Sequence, residues 1–227
     1  MRLYYHPVST TSRPILQYIA EHGLELDHQI VDLFTAEHLG EAFGAVNPNH
    51  QVPVLEDGDF RLTESSAILK YLADKAGSSD YPTDARTRAR INERMDWLNT
   101  GLTRDLGYGF VYPQLFPSHR RPDERQQAAV LAWGREKARG WLGTLDRHLL
   151  GTRQAFLCGD AITIADYFGA AILTLGEAIR LDYSGYPNVQ RWLARVKVRP
   201  SWQAANGAFY AHLVQPMQSD AFSGLDG

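Results

Sequence analysis

Strand signals stop at Gly77 in this 227-residue chain, and everything beyond is helical in pattern. Before that point Leu3-Tyr4-Tyr5, residues 28–33, residues 52–55 and residues 60–62 read as short strands, with Asp57-Gly58-Asp59 a tight turn between the last two. Ser12 and Arg13 precede Pro14, which suits a first helical turn, and Ile15, Leu16, Ile19 and Ala20 recur at helical spacing until Gly23 ends the run. A second helix starts near Ser65 and passes through Tyr71-Leu72. The order is β-α-β, a linking segment, then β-β-α. After the loop Ser78-Ser79-Asp80-Tyr81-Pro82, helical periodicities cover about 85–115, 123–149, 163–179, 188–197 and 202–213. The pattern predicts a small α/β domain over residues 1–77 and an all-helical domain over 85–227, with a frayed tail from Ser219.

Several function classes fall away on composition. A net charge of −3 leaves no electrostatic footprint for nucleic acid, and Arg120-Arg121 and the arginines of residues 86–90 are short solvated groups. The start Met1-Arg2-Leu3-Tyr4-Tyr5-His6-Pro7 has no apolar core of a signal peptide, and no stretch approaches the roughly 18 uninterrupted apolar residues of a membrane span. A cytoplasmic protein without membrane or nucleic-acid partners is expected. The single cysteine, Cys158, excludes an internal disulfide or a CxxC redox pair and reads as a buried small hydrophobe.

Glu64 and Ser65 place a carboxylate and a hydroxyl where a strand ends and a helix begins. Helix N-termini bind anions through free N–H groups and the helix dipole. A zwitterionic head group can therefore pair its ammonium with Glu64 and rest its carboxylate on the Ser65 N–H; the plainer alternative is a helix cap. Val52-Pro53, opening a strand, is either an edge-strand proline or a cis peptide that leaves the Val52 backbone groups free for an extended ligand. Further along, Thr163 and Asp166 have the spacing of a capping box, a structural role.

Six segments together resemble one family. They are Tyr4-Tyr5-His6-Pro7-Val8-Ser9-Thr10-Thr11-Ser12-Arg13-Pro14, Glu37-His38-Leu39, Asn47-Pro48-Asn49-His50-Gln51-Val52-Pro53-Val54-Leu55, Leu62-Thr63-Glu64-Ser65-Ser66-Ala67-Ile68, Phe156-Leu157-Cys158-Gly159-Asp160 and Ile162-Thr163-Ile164-Ala165-Asp166. They are similar to the glutathione S-transferases, nearest to the serine-type theta and delta classes and their bacterial relatives. The resemblance implies a thioredoxin-like first domain, glutathione as co-substrate, no metal, a detoxifying transfer to small apolar electrophiles, and a homodimer. It implies that the γ-glutamyl group meets Glu64 and Ser65, that the cysteinyl backbone pairs with Val52 beside Pro53, and that the glycine carboxylate approaches His38, His50 and Gln51.

The family's serine-type members carry the working hydroxyl at the position of Ser9, where it donates to the glutathione sulfur. A thiol's ordinary pKa is near 8.5, and each unit of lowering is about 1.4 kcal/mol of selective thiolate stabilisation. Thr10 is the rival for that contact, while Ser12 and Thr11 suit turn and cap roles. The electrophile is expected against the first helix of the second domain, where Trp97, Arg104, Tyr108, Phe110 and Tyr112 lie; Arg104, Tyr108 and Tyr112 are retained as the electrophile site. Thr103 stands where some theta-class members have an arginine, with Arg104 one place later. Two alternatives on the same fold are a glutathione-dependent isomerase or dehalogenase of a catabolic pathway and a non-catalytic glutathione-binding interaction module. An intact set of Ser9, Val52-Pro53 and Glu64-Ser65 argues against the latter.

Overall fold

The computed structural model describes residues 1–219 and 221–226. Strands β1 (Arg2–Tyr5), β2 (Asp27–Ile30), β3 (Val54–Asp57) and β4 (Phe60–Leu62) form one sheet in the order β2-β1-β3-β4. β1 runs parallel to β2 and antiparallel to β3, and β3 pairs antiparallel with β4. Parallel neighbours need a crossover, and helix α1 (Arg13–His22) supplies it. It ends where expected, at Gly23, whose φ of +61° is a left-handed cap that a side chain would strain. The third strand begins at Val54 rather than residue 52, because Pro53 has no N–H to give the ladder.

Between β2 and β3 the linking segment folds into a 3-10 turn (Glu37–Leu39) and the short helix α2 (Glu41–Gly44). Val31, Phe43, Val52 and Val54 form a small apolar cluster that holds this segment against the sheet. Helix α3 (Ser65–Lys75) returns across the sheet, and its Tyr71 Oη donates to the Asp57 carboxylate at 2.7 Å, with Lys75 Nζ on the same oxygen, so the β3–β4 hairpin is pinned to it.

The second domain is helical. α4 (Ala85–Trp97) is capped by Asp84, which accepts the Thr87 N–H at 2.9 Å. The single long helix expected over 85–115 is continuous, but Leu98–Val111 widens into π-type turns before α5 (Tyr112–Leu115). Such wide turns are uncommon and concentrate at functional sites. Helix α6 (Glu124–Thr144) lies along this segment at close range: a Cβ on Gly134 would come within 2.2 Å of the Gly109 carbonyl oxygen. After the wide turn Leu145–Leu150 come α7 (Ile164–Thr174), α8 (Pro187–Lys197) and α9 (Pro200–Phe209).

All eleven residues of α7 are buried, which suits its mostly apolar sequence, and its one carboxylate, Asp166, is buried with them. The capping box forms as expected and does more than cap. Asp166 Oδ2 accepts the Thr163 N–H (2.8 Å) and hydroxyl (3.0 Å), while Oδ1 accepts the Leu157 N–H and Trp192 Nε1, both at 2.8 Å. The carboxylate thereby ties α7 to α8 and to the turn before it. Cys158, in that turn, is only part-buried, and burial pushes its thiol up to about 11.

The tail departs from expectation. Residues 221–226 return to the helical domain, where the Ser223 N–H donates to Gln114 Oε1 at 2.7 Å and Leu225 is 3% exposed. Burying one leucine and pairing one backbone donor holds a segment that its Gly/Ser content alone would leave frayed. Asp220 and Gly227 lie outside the described residues. Among the described residues no helix is long and apolar enough to cross a membrane.

Candidate active site

A cleft of about 650 Å³ opens between the domains. Its floor is the loop 8–11 after β1; residues 47–53 and 63–65 form one wall, and Tyr108, Tyr112, Phe116, Leu175 and Leu213 form the other. Ser9, Thr10, His38, His50, Gln51, Val52, Pro53, Glu64, Ser65, Tyr108 and Tyr112, all named from sequence, line this single space.

Arg104, expected at the electrophile site, is not among the residues that line it. It is forked onto Asp105 through Nε–Oδ1 at 2.7 Å and Nη2–Oδ2 at 2.9 Å. The bidentate pair with a buried carboxylate is a better partner than an apolar cleft. Phe110 is wholly in the core, and Trp97 stands edge-on to Trp141 with centroids 5.0 Å apart.

Glu64 sits at the N-cap of α3 with φ +65° and ψ 117°, a region that a non-glycine residue enters at a cost of about 1–3 kcal/mol. Its carboxylate is exposed and has no partner among the described residues, whereas Ser65 behind it is 5% exposed. The conformation holds an anion beside the free N–H groups at the start of α3, so cation and anion acceptors are neighbours.

The Val52–Pro53 peptide is cis. Of the two Val52 backbone groups left for a ligand by the sequence, the carbonyl accepts the Thr11 hydroxyl at 2.9 Å, and the N–H has no partner among the described residues. The turn that carries Val52 is set by Asn47: its Nδ2 donates to the Gln51 carbonyl (2.7 Å) and its Oδ1 accepts the Asn49 N–H (3.0 Å). His50 Nδ1 donates to the His38 carbonyl at 2.7 Å, leaving Nε2 for other partners. Gly44 lets that ring approach, since a Cβ there would meet His50 Cε1 at 2.8 Å. His38 Nδ1 is buried and has no hydrogen-bond partner among the described residues.

On the floor, Ser9 Oγ lies 2.9 Å from Thr11 Oγ1 and accepts the Ser12 N–H at 3.2 Å. Thr10 is 9% exposed and neighbours Tyr112, whose phenol is raised by burial, an effect that the Thr10 hydroxyl partly offsets. Tyr108 and Tyr112 stand edge-to-face at 4.9 Å, and Phe116 continues the aromatic wall at 5.4 Å from Tyr112. Beneath the floor, burial lowers the pKa of His6, which accepts the Val8 N–H at 3.4 Å.

The family model described as "Glutathione S-transferase, N-terminal domain" matches residues 1–74, and that described as "Glutathione S-transferase, C-terminal domain" matches residues 110–200. Glutathione S-transferase D7 of Drosophila melanogaster is 33% identical over 207 residues, 88% of this chain and 86% of that protein. The chain belongs to the glutathione S-transferase family. Among solved structures it is similar to a delta-class glutathione transferase of Nilaparvata lugens, with TM-score 0.81 and 32% identity over 96% of this chain and 98% of that one. It is also similar to apo human glutathione-S-transferase T1-1, with TM-score 0.80 and 30% identity over 94% of this chain and 90% of that one.

This glutathione S-transferase has cleft residues that sequence inspection missed. Leu175 and Leu213 follow α7 and α9, where apolar spacing says only that a residue is inside. Phe34 and Leu39 stand at the rim, 64% and 62% exposed, in the segment read as a link. Large exposed apolar side chains in a predicted loop are the one signal that points to them.

Proposed function

We propose that the cleft binds glutathione, holds its sulfur as a thiolate through Ser9, and presents it to small apolar electrophiles on the wall of Tyr108 and Tyr112. The observation that carries the reading is Glu64, its backbone strained and its carboxylate without a partner among the described residues beside the α3 N-terminus, in the same cleft as the Ser9 hydroxyl and an aromatic wall. The γ-glutamyl ammonium pairs with Glu64, and its carboxylate takes the Ser65 N–H. The cysteinyl backbone meets Val52 beside Pro53, and the glycine carboxylate approaches His50, Gln51 and His38. Each contact joins opposite charges or a donor with an acceptor.

In this reaction the thiolate is the nucleophile, its proton passes to solvent, and the sulfur–carbon bond forms as the electrophile's leaving group or π-bond takes the electron pair. Ser9 stabilises the thiolate and stays covalently unchanged; Thr10 is the competing donor. Arg104 has no part. The two functional units are residues 1–77 and 85–227, in a cytoplasmic homodimer; family membership supports these finer points, and sedimentation at micromolar concentration tests the dimer.

Thiolate absorbance against pH in Ser9→Ala and Thr10→Ala, with rates on one electrophile, tests the mechanism. Ser9→Ala is expected to keep glutathione affinity, raise the bound thiol's pKa and slow turnover near neutral pH, with the deficit shrinking at alkaline pH. A shift in Thr10→Ala alone moves the role to Thr10, and no shift in either leaves backbone N–H groups as activators.

A further inference from the structure

On the cleft floor Ser9 Oγ lies 2.9 Å from Thr11 Oγ1, which lies 2.9 Å from the Val52 carbonyl oxygen. A hydroxyl has one proton to donate and a carbonyl has none. Thr11 therefore donates to Val52, and the Ser9–Thr11 contact is made by the Ser9 proton. Ser9 Oγ accepts in turn from the Ser12 N–H. The chain has one direction, Ser9 to Thr11 to Val52, and it turns the Ser9 proton onto Thr11.

We propose that Thr11 is a positioning residue that reverses this chain when a peptide N–H occupies the Val52 carbonyl. The inference rests on Ser9 being the donor to the thiolate. A ligand amide that approaches Val52 O on the side where the Thr11 hydroxyl sits takes the same lone pair and displaces that hydroxyl. Once displaced, the Thr11 proton swings to Ser9 Oγ, and the Ser9 proton swings to the sulfur. Two hydroxyl rotors turn and no covalent bond changes. A hydrogen bond donated into Ser9 Oγ polarises its O–H, so the donation to the thiolate strengthens.

The consequence is substrate selection by backbone. A thiol on a peptide, whose amide reaches Val52, switches the chain and has its pKa lowered. A simple thiol of similar acidity without that amide, such as 2-mercaptoethanol, leaves the Ser9 proton on Thr11. Exposed Thr11 has no core packing that explains its hydroxyl, and both of its hydrogen bonds are to residues of the cleft.

The test is the pKa of bound glutathione, read by ultraviolet thiolate absorbance, in the unmodified protein, Thr11→Val, Thr11→Ser, Ser9→Ala and the double variant Ser9→Ala/Thr11→Val, with calorimetric affinity alongside. Thr11→Val keeps shape and loses the hydroxyl; it is expected to change affinity by less than about threefold and to raise the thiol pKa by about half a unit to one unit. Thr11→Ser is expected to restore the lower value, and the double variant to match Ser9→Ala. A shift in Ser9→Ala with none in Thr11→Val overturns the relay and leaves the Ser9 assignment standing. No shift in Ser9→Ala overturns both. Equal shifts in Thr11→Val and Thr11→Ser show that returning the hydroxyl does not return the lower pKa, and also overturn the relay.

Discussion

The Arg13 guanidinium lies 3.7 Å over the ring of Phe209, sealed in the joint between α1 and α9. It donates to Asn206 Oδ1 at 2.8 Å, the Ala171 carbonyl at 2.7 Å and Thr174 Oγ1 at 3.1 Å, and no carboxylate pairs with it among the described residues. Burial lowers its pKa to about 10, so it remains charged at neutral pH. The Ser9 carbonyl accepts the N–H groups of both Ser12 and Arg13 at 3.0 Å, so the residue that locks the domains also fixes the loop carrying Ser9.

Arg13→Ala is therefore expected to lose roughly 3–5 kcal/mol, from the cavity and from buried acceptors left unpaired. Arg13→Lys keeps the charge without the planar fork and falls between. Urea unfolding measures both; a loss under about 1 kcal/mol for the alanine variant would show that the joint does not depend on this contact.

Glu64→Ala is expected to weaken glutathione binding by about tenfold or more with the fold intact, since it removes a charge-assisted contact of about 1.5–3 kcal/mol, whereas Ser65→Ala keeps the backbone N–H that takes the ligand carboxylate and is expected to lose less. Glu64→Gly separates the two costs at that position: it relieves the positive φ and should gain about 1 kcal/mol of stability while losing affinity. Calorimetry with thermal melts decides it, and unchanged affinity in all three variants would remove the γ-glutamyl site.

Asp105 sets an acid limb of stability. The carboxylate is 1% exposed; its hydrogen bonds from Arg104 and, at 2.6 Å, from Trp141 Nε1 hold its pKa below the ordinary 3.8. A carboxylate with a depressed folded pKa contributes stability above its unfolded value, and that contribution disappears as pH falls through the folded value. Asp105→Asn should lose about 1–3 kcal/mol at pH 7 and show a flatter decline below about pH 4 than the unmodified protein. Urea midpoints across the acid range check this; parallel curves would refute it.

Gly134→Ala forces a methyl group onto the Gly109 backbone, 2.2 Å from its carbonyl oxygen. Backbone cannot swing aside as a side chain does, so α6 must move, at roughly 1–3 kcal/mol. Tyr108 and Tyr112 flank Gly109, and the expected kinetic signature is a raised KM for the electrophile with glutathione affinity unchanged. Equal losses on both substrates would place the damage elsewhere.

The element order was legible because it is written locally. Periodicity of two or of 3.6, Pro14 near one helix start and Gly23 after its end need only near neighbours to act. The same holds for Glu64-Ser65 and for the Thr163–Asp166 box, whose partners sit within one turn. The boundaries slipped where a distant partner decides them, as at residue 52, where the ladder starts only after Pro53.

By itself the sequence determined that a β-α-β/β-β-α unit precedes a helical one, and which polar residues stand at the ends of strands and helices. Tertiary structure alone decided which of those residues share a cleft. It turned Arg104 onto Asp105, drew Leu175 and Leu213 into the aromatic wall, buried Arg13 against Phe209 and hung Thr11 on the Val52 carbonyl, 41 residues away in sequence. Helix and strand patterns follow from interactions among adjacent residues. The choice of partner follows from which faces meet when the domains close, and no local pattern specifies that.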